Sequence, residues 1–256
     1  MQDYLVFTLR GPLQSWGASS AVGEVRATAG HPGRSGVAGL LAAALGIRRD
    51  RTAALEALHG AVRLAARADD SGERMIDYHT VQTPPNQKKV TYYTRRDELL
   101  TKVTPQQLST ILSEREYLAG AAFTVCVWLE GDAGYGLAAM REALRHPRLT
   151  LYLGRKSCPP GFPLLPEVIS ARDAAAALAL YDAQHGKTCA AGRGFARPTD
   201  RPVWSDEGHG IEGVEERTTR YSVRDVLSNA AKRQFALRRE CHFLLPEEQE
   251  ADHVHE

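Results

Sequence analysis

The amino-acid sequence predicts an α+β fold, in which strands and helices alternate along the chain. In residues 4–10, successive side chains alternate between two faces with the two-residue period of a β-strand. Residues 34–47, RSGVAGLLAAALGI, place apolar side chains at the i, i+3, i+4 spacing of a helix with one buried face. A second short helix, two strand patterns, a loop and a strand–helix–strand sequence follow, which is the order of split βαβ folds of the ferredoxin type.

The first strand and the first helix carry the clearest patterns. Leu5, Phe7 and Leu9 are expected on one face of the strand. In the helix, Ser35 is the predicted N-cap and Gly46 the predicted stop. The predicted buried face consists of Val37, Leu40, Leu41, Ala44 and Leu45.

The entrance to this helix has two interpretations. A helix start offers unpaired N–H groups and a partial positive charge, which suit phosphate, and Arg26 and Arg34 would add to that charge. Alternatively, the helix only packs on a sheet and its glycines permit close packing. This stretch by itself favours the second interpretation.

The remaining elements are shorter. We predict a helix at 51–59 closed by Gly60, a hairpin of strands 61–68 and 74–82, a strong strand at 115–129 and a helix at 137–145. We also predict a strand at 149–153, a basic turn at 154–160, a helix at 173–181, a loop at 184–203 and closing strands at 218–223 and 234–245.

Composition narrows the class of protein. The 256 residues fit one large domain or two small ones, and 43% hydrophobic with 25% charged residues is ordinary for a globular protein. No apolar run is long enough to span a membrane and no signal-peptide pattern is present, which predicts a soluble cytoplasmic protein that does not contact membranes. Its four cysteines lack the CxxC or Cys/His spacing of a zinc site, so reduced thiols and no metal or cofactor are expected.

The charge is unevenly distributed. The net charge is +1, but residues 246–256, PEEQEADHVHE, carry five acidic side chains and no Lys or Arg, so residues 1–245 carry +6. We expect this acidic tail to be disordered. Basic residues cluster at 86–102, beside Tyr92 and Tyr93, and again at 232–239. Basic residues beside aromatics indicate a nucleic-acid partner, although solvated charged surfaces are the commoner cause of such clusters.

Two stretches could bind RNA. Residues 83–110 contain two prolines, several basic residues and little core-forming pattern, which is typical either of a projecting functional segment or of a flexible insertion. Gln14, Ser15 and Trp16 offer hydrogen-bonding groups and a stacking ring in a predicted exposed loop. Trp16 could equally anchor that loop in the core.

Motifs for catalysis are largely absent. No Walker, GxGxxG, HExxH or GxSxG pattern occurs, and no pair of carboxylates has a spacing that implies acid–base chemistry. Metal-independent RNA cleavage would require a base, an acid and a cation close together. His79, Tyr117 and Lys156 could supply such a set only if the fold joined them. A structural role for His79 is the simpler interpretation.

Several longer motifs identify a family. They are LRGPLQSWG at 9–17, HPGRSGVAGLLAAALGI at 31–47, DYHTV at 77–81, REYLAGAAFTVCVWL at 115–129, LYLGRKSCP at 151–159 and RQFALRREC at 233–241. In this order and spacing they resemble the CasD family, a RAMP-superfamily subunit of the type I-E CRISPR surveillance complex Cascade. The resemblance extends through nearly the whole chain.

The resemblance implies a fold and a role. The fold would be one ferredoxin-like, RRM-like domain at 1–245, with a protruding β-rich thumb at about 83–113 and a C-terminal β extension. The role would be that of a non-catalytic subunit that holds the 5′ handle of the guide RNA (crRNA). Its partners would be a CasC-type backbone subunit and a CasA-type large subunit, with target DNA nearby in the complex. A metal-independent endonuclease of CRISPR repeat RNA, as in the related type I-C subunit, is the alternative.

The implied role, combined with the chemistry of the residues themselves, selects the candidate site residues. Those expected in the handle pocket are Gln14, Ser15, Trp16, Arg26, Arg34, Ser35, Arg155, Lys156 and Ser157. Those expected to contact RNA or a neighbouring subunit from the thumb are Lys88, Lys89, Tyr92, Tyr93, Arg95, Arg96 and Arg115. Phosphate contacts would hold the handle in register, while contacts to base edges would specify its sequence.

Overall fold

The computed structural model of the chain describes residues 1–18, 24–85, 90–190, 200–207 and 218–246. Its strands are β1 (Gln2–Arg10), β2 (Leu13–Gln14), β3 (Trp16–Gly17), β4 (Val25–Arg26), β5 (Thr28–Ala29), β6 (Val62–Asp70), β7 (Glu73–Thr83), β8 (Ser109–Ala119), β9 (Ala122–Leu129), β10 (Glu167–Ala171), β11 (Asp200–Asp206), β12 (Thr219–Asn229) and β13 (Gln234–Pro246). Its α-helices are α1 (Arg34–Leu45), α2 (Thr52–Ala61), α3 (Leu137–Arg145) and α4 (Ala174–Ala190).

A central antiparallel sheet organises these elements. Within the described ranges it has seven strands in the order β10-β1-β9-β6-β11-β13-β12. A smaller sheet joins β2, β8 and β4, and β7 pairs with β8 along eleven residue pairs. The α+β class predicted from the sequence is confirmed.

Strand β1 lies inside the central sheet, and both of its faces are buried. Leu5, Phe7 and Leu9 pack into a large core that includes the buried faces of α1 and α3. Tyr4 and Val6 point to the opposite side, into a second core beneath α4. The predicted alternation is therefore correct, and an interior strand covered by helices on both faces explains why its two faces are nearly equally apolar.

Helix α1 packs as its sequence indicates but begins differently. All five residues predicted for its buried face are buried, and Gly46 closes the helix with a left-handed φ of 78°. The predicted N-cap is wrong, because Gly33 occupies the N-cap position and Ser35 lies in the first turn. The Asp225 carboxylate of β12 instead accepts a hydrogen bond from the Arg34 backbone N–H at 2.7 Å.

The predicted hairpin of 61–68 with 74–82 is wrong. Strand β6 pairs with β9 and β11, whereas β7 pairs with β8 in the other sheet. The predicted strand at 115–129 is two strands, because Gly120 adopts a φ of 72° between β8 and β9 and redirects the chain. The alternating pattern of 115–129 runs across this break, so periodicity gives no sign of it.

Four other boundaries differ from prediction. Residues 149–153 form no strand, although Leu151 and Leu153 are buried, and the strand that pairs with β1 is β10 instead. Helix α2 includes Gly60, and α4 continues to Ala190. The last part of the predicted loop 184–203 belongs to β11. The closing strands are confirmed as the antiparallel pair β12 and β13.

The expected acidic tail lies outside the described residues, except for Pro246 at the end of β13. Among the described residues, no helix has both the length and the apolarity that crossing a membrane requires.

Candidate nucleic-acid interface

Gln14, Ser15 and Trp16 lie inside the protein, so the predicted exposed loop is wrong. The Gln14 amide donates hydrogen bonds to the Leu9 and Ala121 carbonyls at 3.2 and 2.8 Å, and its oxygen accepts one from the Trp16 indole N–H at 3.0 Å. The Trp16 ring is only 1% exposed. The alternative role of Trp16, as an anchor of the loop, is the one the structure supports.

The Trp16 ring packs against α1 where that helix carries a glycine. A Cβ atom at Gly36 would lie 3.0 Å from Cε3 of Trp16, so the small residue makes room for the indole. The Ser15 hydroxyl donates a hydrogen bond to the Glu116 carbonyl at 3.0 Å. Ser15 and Trp16 therefore connect β8 with α1 in the interior of the protein. The glycine of α1 therefore permits the close packing of a side chain.

The turn at 154–158 reaches the same region. Ser15 N–H donates to the Leu153 carbonyl at 3.1 Å. The Arg155 guanidinium donates to the carbonyls of Glu116 at 3.1 Å and Arg26 at 2.6 Å, and it lies 5.0 Å from the centre of the Tyr117 ring. Arg155 therefore joins this turn to strands β4 and β8.

Three arginines share one face of the β4–β8–β7 sheet, which we call the basic face. Arg26 on β4 is the register partner of Arg115 on β8, and Arg155 lies over Tyr117, two residues further along β8. Arg115 is also opposite Asp77 of β7, but that carboxylate pairs with His79 at 2.5 Å.

None of these three arginines pairs with a carboxylate in the described parts of the chain, and Nε of Arg115 is buried without a hydrogen-bond partner. Like charges directly opposite one another on adjacent strands repel, so this arrangement favours a bound anion.

Other predicted residues lie around the basic face. Lys156 and Ser157 are exposed on the turn that carries Arg155. Sequence reasoning placed Arg115 on the thumb and not beside Arg26, because the parallel pairing of β4 with β8 has no local signal. It also missed Arg74, which donates to Glu116 at 2.9 Å on the opposite face of the hairpin.

Arg34 and the start of α1 do not form the open pocket that the sequence suggested. Arg34 is 6% exposed and donates to the carbonyls of His59 and Gly60 at 2.9 and 3.1 Å. The Asp225 carboxylate already occupies the helix start, and a Cβ at Gly33 would lie 3.0 Å from its Oδ2. The protein therefore supplies its own anion where a phosphate was expected.

A buried ionic network surrounds that helix start. Arg238 of β13 donates to Asp225 at 2.7 and 3.0 Å and to Glu240 at 2.5 Å, and it lies 3.2 Å from Asp206. Burial opposes the ionisation of Glu240, but the hydrogen bond from His31 and the nearby Arg238 outweigh it and lower the pKa of Glu240 to about 2. This network of ion pairs connects strands β12 and β13 with the start of α1.

His59 lies next to this network and makes stability depend on pH. Burial, and then the charge of Arg34, lower the pKa of His59 to about 4. An unfolded histidine has a pKa of about 6.5, so below that pH the unfolded chain takes up a proton that the folded chain does not. Stability is therefore complete above about pH 6.5 and falls as the pH drops towards 4.

We expect the free energy of unfolding to fall by about 2 kcal/mol between pH 7 and pH 5 on account of His59. Urea unfolding at both pH values measures this change. A His59→Leu variant should lose most of the pH difference, whereas His146→Gln, at a histidine whose side chain is 79% exposed, should keep it. An equal pH difference in His59→Leu and the wild type would contradict the assignment.

The segment between β7 and β8 holds most of the predicted thumb residues. Lys88 and Lys89 lie outside the described residues. Tyr93 is 82% exposed with Lys102 Nζ 5.3 Å from its ring centre, and Tyr92 is half-buried. Arg95 pairs with Glu98 and also donates to the Gln82 carbonyl, while Arg96 is exposed.

A groove of about 400 Å³ lies in this segment, and its lining residues are Gln82, Arg95, Arg96, Leu99, Leu100, Pro105 and Leu108. Thr110, which pairs with Gln82, is five residues from Arg115 along β8, a separation of about 17 Å. The thumb residues and the basic face are therefore two separate parts of the surface.

The candidate catalytic residues are not assembled. His79 is opposite Ser113, four residues from Tyr117 along β8, a separation of about 13 Å. Tyr117 is buried under Arg155, and Lys156 is exposed on the turn that carries Arg155, so neither residue is near His79. Within the described ranges, no group of three or more His, Cys, Asp or Glu side chains is placed to hold a metal ion.

Comparisons with known proteins agree with this architecture. The family model described as CRISPR-associated protein (Cas_Cas5) matches residues 4–240. The chain belongs to the Cas5 family. It is 34% identical over 246 residues to the CRISPR system Cascade subunit CasD of Escherichia coli (strain K12). This alignment covers 93% of this chain and 94% of that protein.

Two solved structures are also similar to this Cas5-family chain. One is described as the crystal structure of a Cas protein, with 29% identity, a TM-score of 0.62 and 96% of each chain covered. The other is a chain of a CRISPR RNA-guided surveillance complex, with 26% identity, a TM-score of 0.61 and coverage of 95% of this chain and 89% of that one. The Cas5 match includes every residue of the basic face and ends before the acidic tail.

Proposed function

We propose that this chain is the guide-RNA-binding subunit of a Cascade-type CRISPR surveillance complex and that its basic face holds the 5′ handle of the RNA. The similarity to a Cascade subunit along nearly the full length of both chains supports membership of such a complex. The observation that carries the RNA-binding role is the basic face itself, where Arg26, Arg115 and Arg155 converge without a carboxylate partner among the described residues.

Arg26 and Arg115 would bind backbone phosphates, and Arg155 would do so through the guanidinium donors that the Glu116 and Arg26 carbonyls leave unused. Charged hydrogen bonds from guanidinium groups to phosphate are short and directional, so they fix the register of a single strand. Lys156 and Ser157, on the exposed turn beside Arg155, would add contacts at the edge of the same surface. The buried residues Gln14, Ser15 and Trp16 would hold this surface in place from beneath.

The start of α1 has a supporting role in this proposal. The Arg34 guanidinium donates its hydrogen bonds to backbone carbonyls, and the N–H group at the helix start donates to Asp225. Ser35 and Arg34 would therefore act on the RNA only through the position of α1 and the loop before it.

The domain would be ferredoxin-like. Taken in chain order, β1, β6, β9 and β10 alternate with helices as β-α-β-β-α-β and lie in the spatial order 4-1-3-2. This arrangement supports a single domain at 1–245, with β12 and β13 as its C-terminal extension and 246–256 as a disordered tail.

The β7–β8 hairpin and its connecting segment would be the thumb. The mostly exposed β7 strand supports this assignment. Residues 83–113 would contact RNA or a neighbouring subunit through Lys88, Lys89, Tyr92, Tyr93, Arg95 and Arg96. We propose a CasC-type backbone subunit and a CasA-type large subunit as the protein partners, target DNA nearby, and a cytoplasmic location.

We propose a non-catalytic role in this complex. The match to a Cascade subunit favours binding over repeat-RNA cleavage. The separation of His79 from Tyr117 supports the same choice, because a general base and a general acid must both reach the reacting phosphate.

Single substitutions on the basic face are expected to weaken binding of labelled CRISPR repeat RNA. Arg26→Gln and Arg115→Gln should each lower affinity about threefold to tenfold at low salt and reduce the slope of log affinity against log salt by about 0.7 per lost phosphate contact. Fluorescence anisotropy at several salt concentrations in EDTA measures both quantities, for the isolated chain and for the co-purified complex.

Arg220→Gln is the matched control, because Arg220 is exposed on β12 of the central sheet, not on the sheet that carries the basic face, and pairs with Glu207 at 3.8 Å. It should bind RNA like the wild type. Unchanged affinity in both basic-face variants would remove the basic face from the RNA site. Cleavage of the RNA in EDTA would instead support the endonuclease alternative.

A further inference from the structure

A second cluster of arginines lies at the C-terminal end of α1, and we call it the α1-end patch. It consists of Arg48, Arg49, Arg51 and Arg148, all exposed. Asp50 is the one acidic residue in the turn 48–51. The RNA-binding proposal uses none of these residues.

Two separate segments build the patch. The Arg51 N–H donates to the Arg48 carbonyl at 3.0 Å, which makes residues 48–51 a turn. Arg148 approaches from the chain after α3, where its N–H donates to the Ala44 carbonyl at 3.0 Å. A Cβ at Gly46 would lie 2.8 Å from Cδ of Arg148, so the stem of Arg148 packs directly on the helix end.

The patch is distinct from the basic face. Trp16, which lies beneath the basic face, contacts α1 at Gly36. Gly46 is ten residues further along the helix, a distance of about 15 Å. A ligand on the patch therefore need not touch Arg26, Arg115 or Arg155.

None of the four side chains is neutralised within the described parts of the chain. No carboxylate forms an ion pair with them, whereas Arg145 just before the patch pairs with Glu167 at 2.8 Å. A helix C-terminus favours nearby cations, which accounts for one arginine next to α1. Four cations on two segments exceed that requirement and repel one another, which indicates an anionic partner.

The chemistry of the patch fits the phosphate backbone of a duplex. Proteins bind single strands by stacking bases on aromatic rings along a basic groove, whereas duplex contacts can be made to phosphates alone. The segments 47–51 and 145–149 contain one aromatic ring, that of His146, which pairs with Glu142 at 3.4 Å. Arginine side chains on an exposed turn meet the requirement for backbone contacts without base recognition.

We propose that the α1-end patch binds the phosphodiester backbone of double-stranded DNA without sequence preference. This site goes beyond the proposed RNA-binding role and stands on different residues. In the complex, this chain would hold a DNA duplex at the α1-end patch and the guide RNA at the basic face at the same time.

Binding of a labelled random-sequence duplex to the full chain tests the proposal. The quadruple variant Arg48→Gln, Arg49→Gln, Arg51→Gln, Arg148→Gln should lose at least about a hundredfold in affinity at low salt, and the slope of log affinity against log salt should fall by about 3 to 4. The double variant Arg48→Gln, Arg49→Gln leaves the Arg148 packing intact, and it should reduce the slope by about 2.

A second quadruple variant controls for total charge. It replaces arginines that are exposed on the other parts of the surface, Arg172, Arg220, Arg224 and Arg239, by glutamine. This variant should bind the duplex within about twofold of the wild type, because uniform loss of charge acts weakly across screened distances. Repeat-RNA affinity, measured in parallel, should stay unchanged in both α1-end variants.

Four results would overturn the proposal: no duplex binding by the wild type, wild-type binding by the α1-end variants, an equal loss in the charge control, or a parallel loss of RNA binding. The last result would assign the patch to single-stranded RNA. The wild type could also bind the duplex but not the RNA. If the α1-end variants then lost duplex binding, the patch would be upheld and the RNA-binding role refuted.

Discussion

A Gly154→Ala variant is expected to lose at least about 3 kcal/mol of folding free energy. The Cβ atom of the alanine would lie 1.8 Å from the Ser15 carbonyl oxygen, a distance that no side-chain rotation relieves. Gly154 also has a φ of 85°, which alanine adopts only with strain. The backbone of either the 154–158 turn or the Gln14–Trp16 segment must therefore move, and both carry the basic face.

Urea unfolding measures this loss, and Gly131→Ala is the control. Gly131 has a similar φ of 93°, but no atom lies within 4 Å of its would-be Cβ. That variant should cost only the backbone strain, about 1 kcal/mol. Equal losses in the two variants would show that the close approach of Gly154 to Ser15 is unimportant. If Gly154→Ala remains folded, its affinity for repeat RNA should also fall, because Arg155 would be displaced.

Replacing Arg238 by methionine is expected to cost about 3 to 5 kcal/mol. Methionine keeps most of the side-chain volume but leaves Asp206, Asp225 and Glu240 with one fewer cation in a buried environment. Removing one member of a buried ionic group costs far more than an exposed pair does, because the remaining charges stay desolvated. Chemical denaturation at pH 7 measures the change.

Arg239→Met tests the same substitution one residue along the same strand. Arg239 points away from the network, its side chain is 65% exposed and it lies 4.0 Å from Glu207. Its loss should change stability by less than about 0.5 kcal/mol. The cost of Arg238→Met should also persist at high salt, since buried pairs are weakly screened. A small, salt-sensitive effect would contradict a buried network.

Local patterns predicted the elements far better than their pairing. The alternation in β1 and the apolar spacing in α1 predicted buried faces that the structure has. Pairing depends on contacts distant in sequence, and two neighbouring strands of suitable length were therefore assigned to a hairpin that does not exist. Residues 149–153 resemble a strand because Leu151 and Leu153 are buried, although no strand of the described residues pairs with them.

The candidate site shows the same division. Sequence reasoning picked out Arg26 for its charge near the start of α1, Arg155 on a basic turn and Arg115 as a thumb contact. That Arg26 and Arg115 are neighbours follows from a two-residue parallel pairing that has no pattern of its own. The sequence left the position of Trp16 open between an exposed loop and the core, because it depends on a space elsewhere in the chain, here above Gly36.

The β7–β8 hairpin leaves and rejoins the central sheet at one place. Asp70 at the end of β6 is the register partner of Ala122 at the start of β9, so residues 71–121 begin and end side by side. The strands that flank this insertion are already paired, and adding residues at its tip changes neither the register nor the core. In evolutionary terms, the reach of the hairpin can therefore diverge between relatives while the domain stays constant. For protein engineering, a foreign loop grafted between Thr83 and Ser109 would leave the fold intact while replacing the contacts that we propose for the thumb.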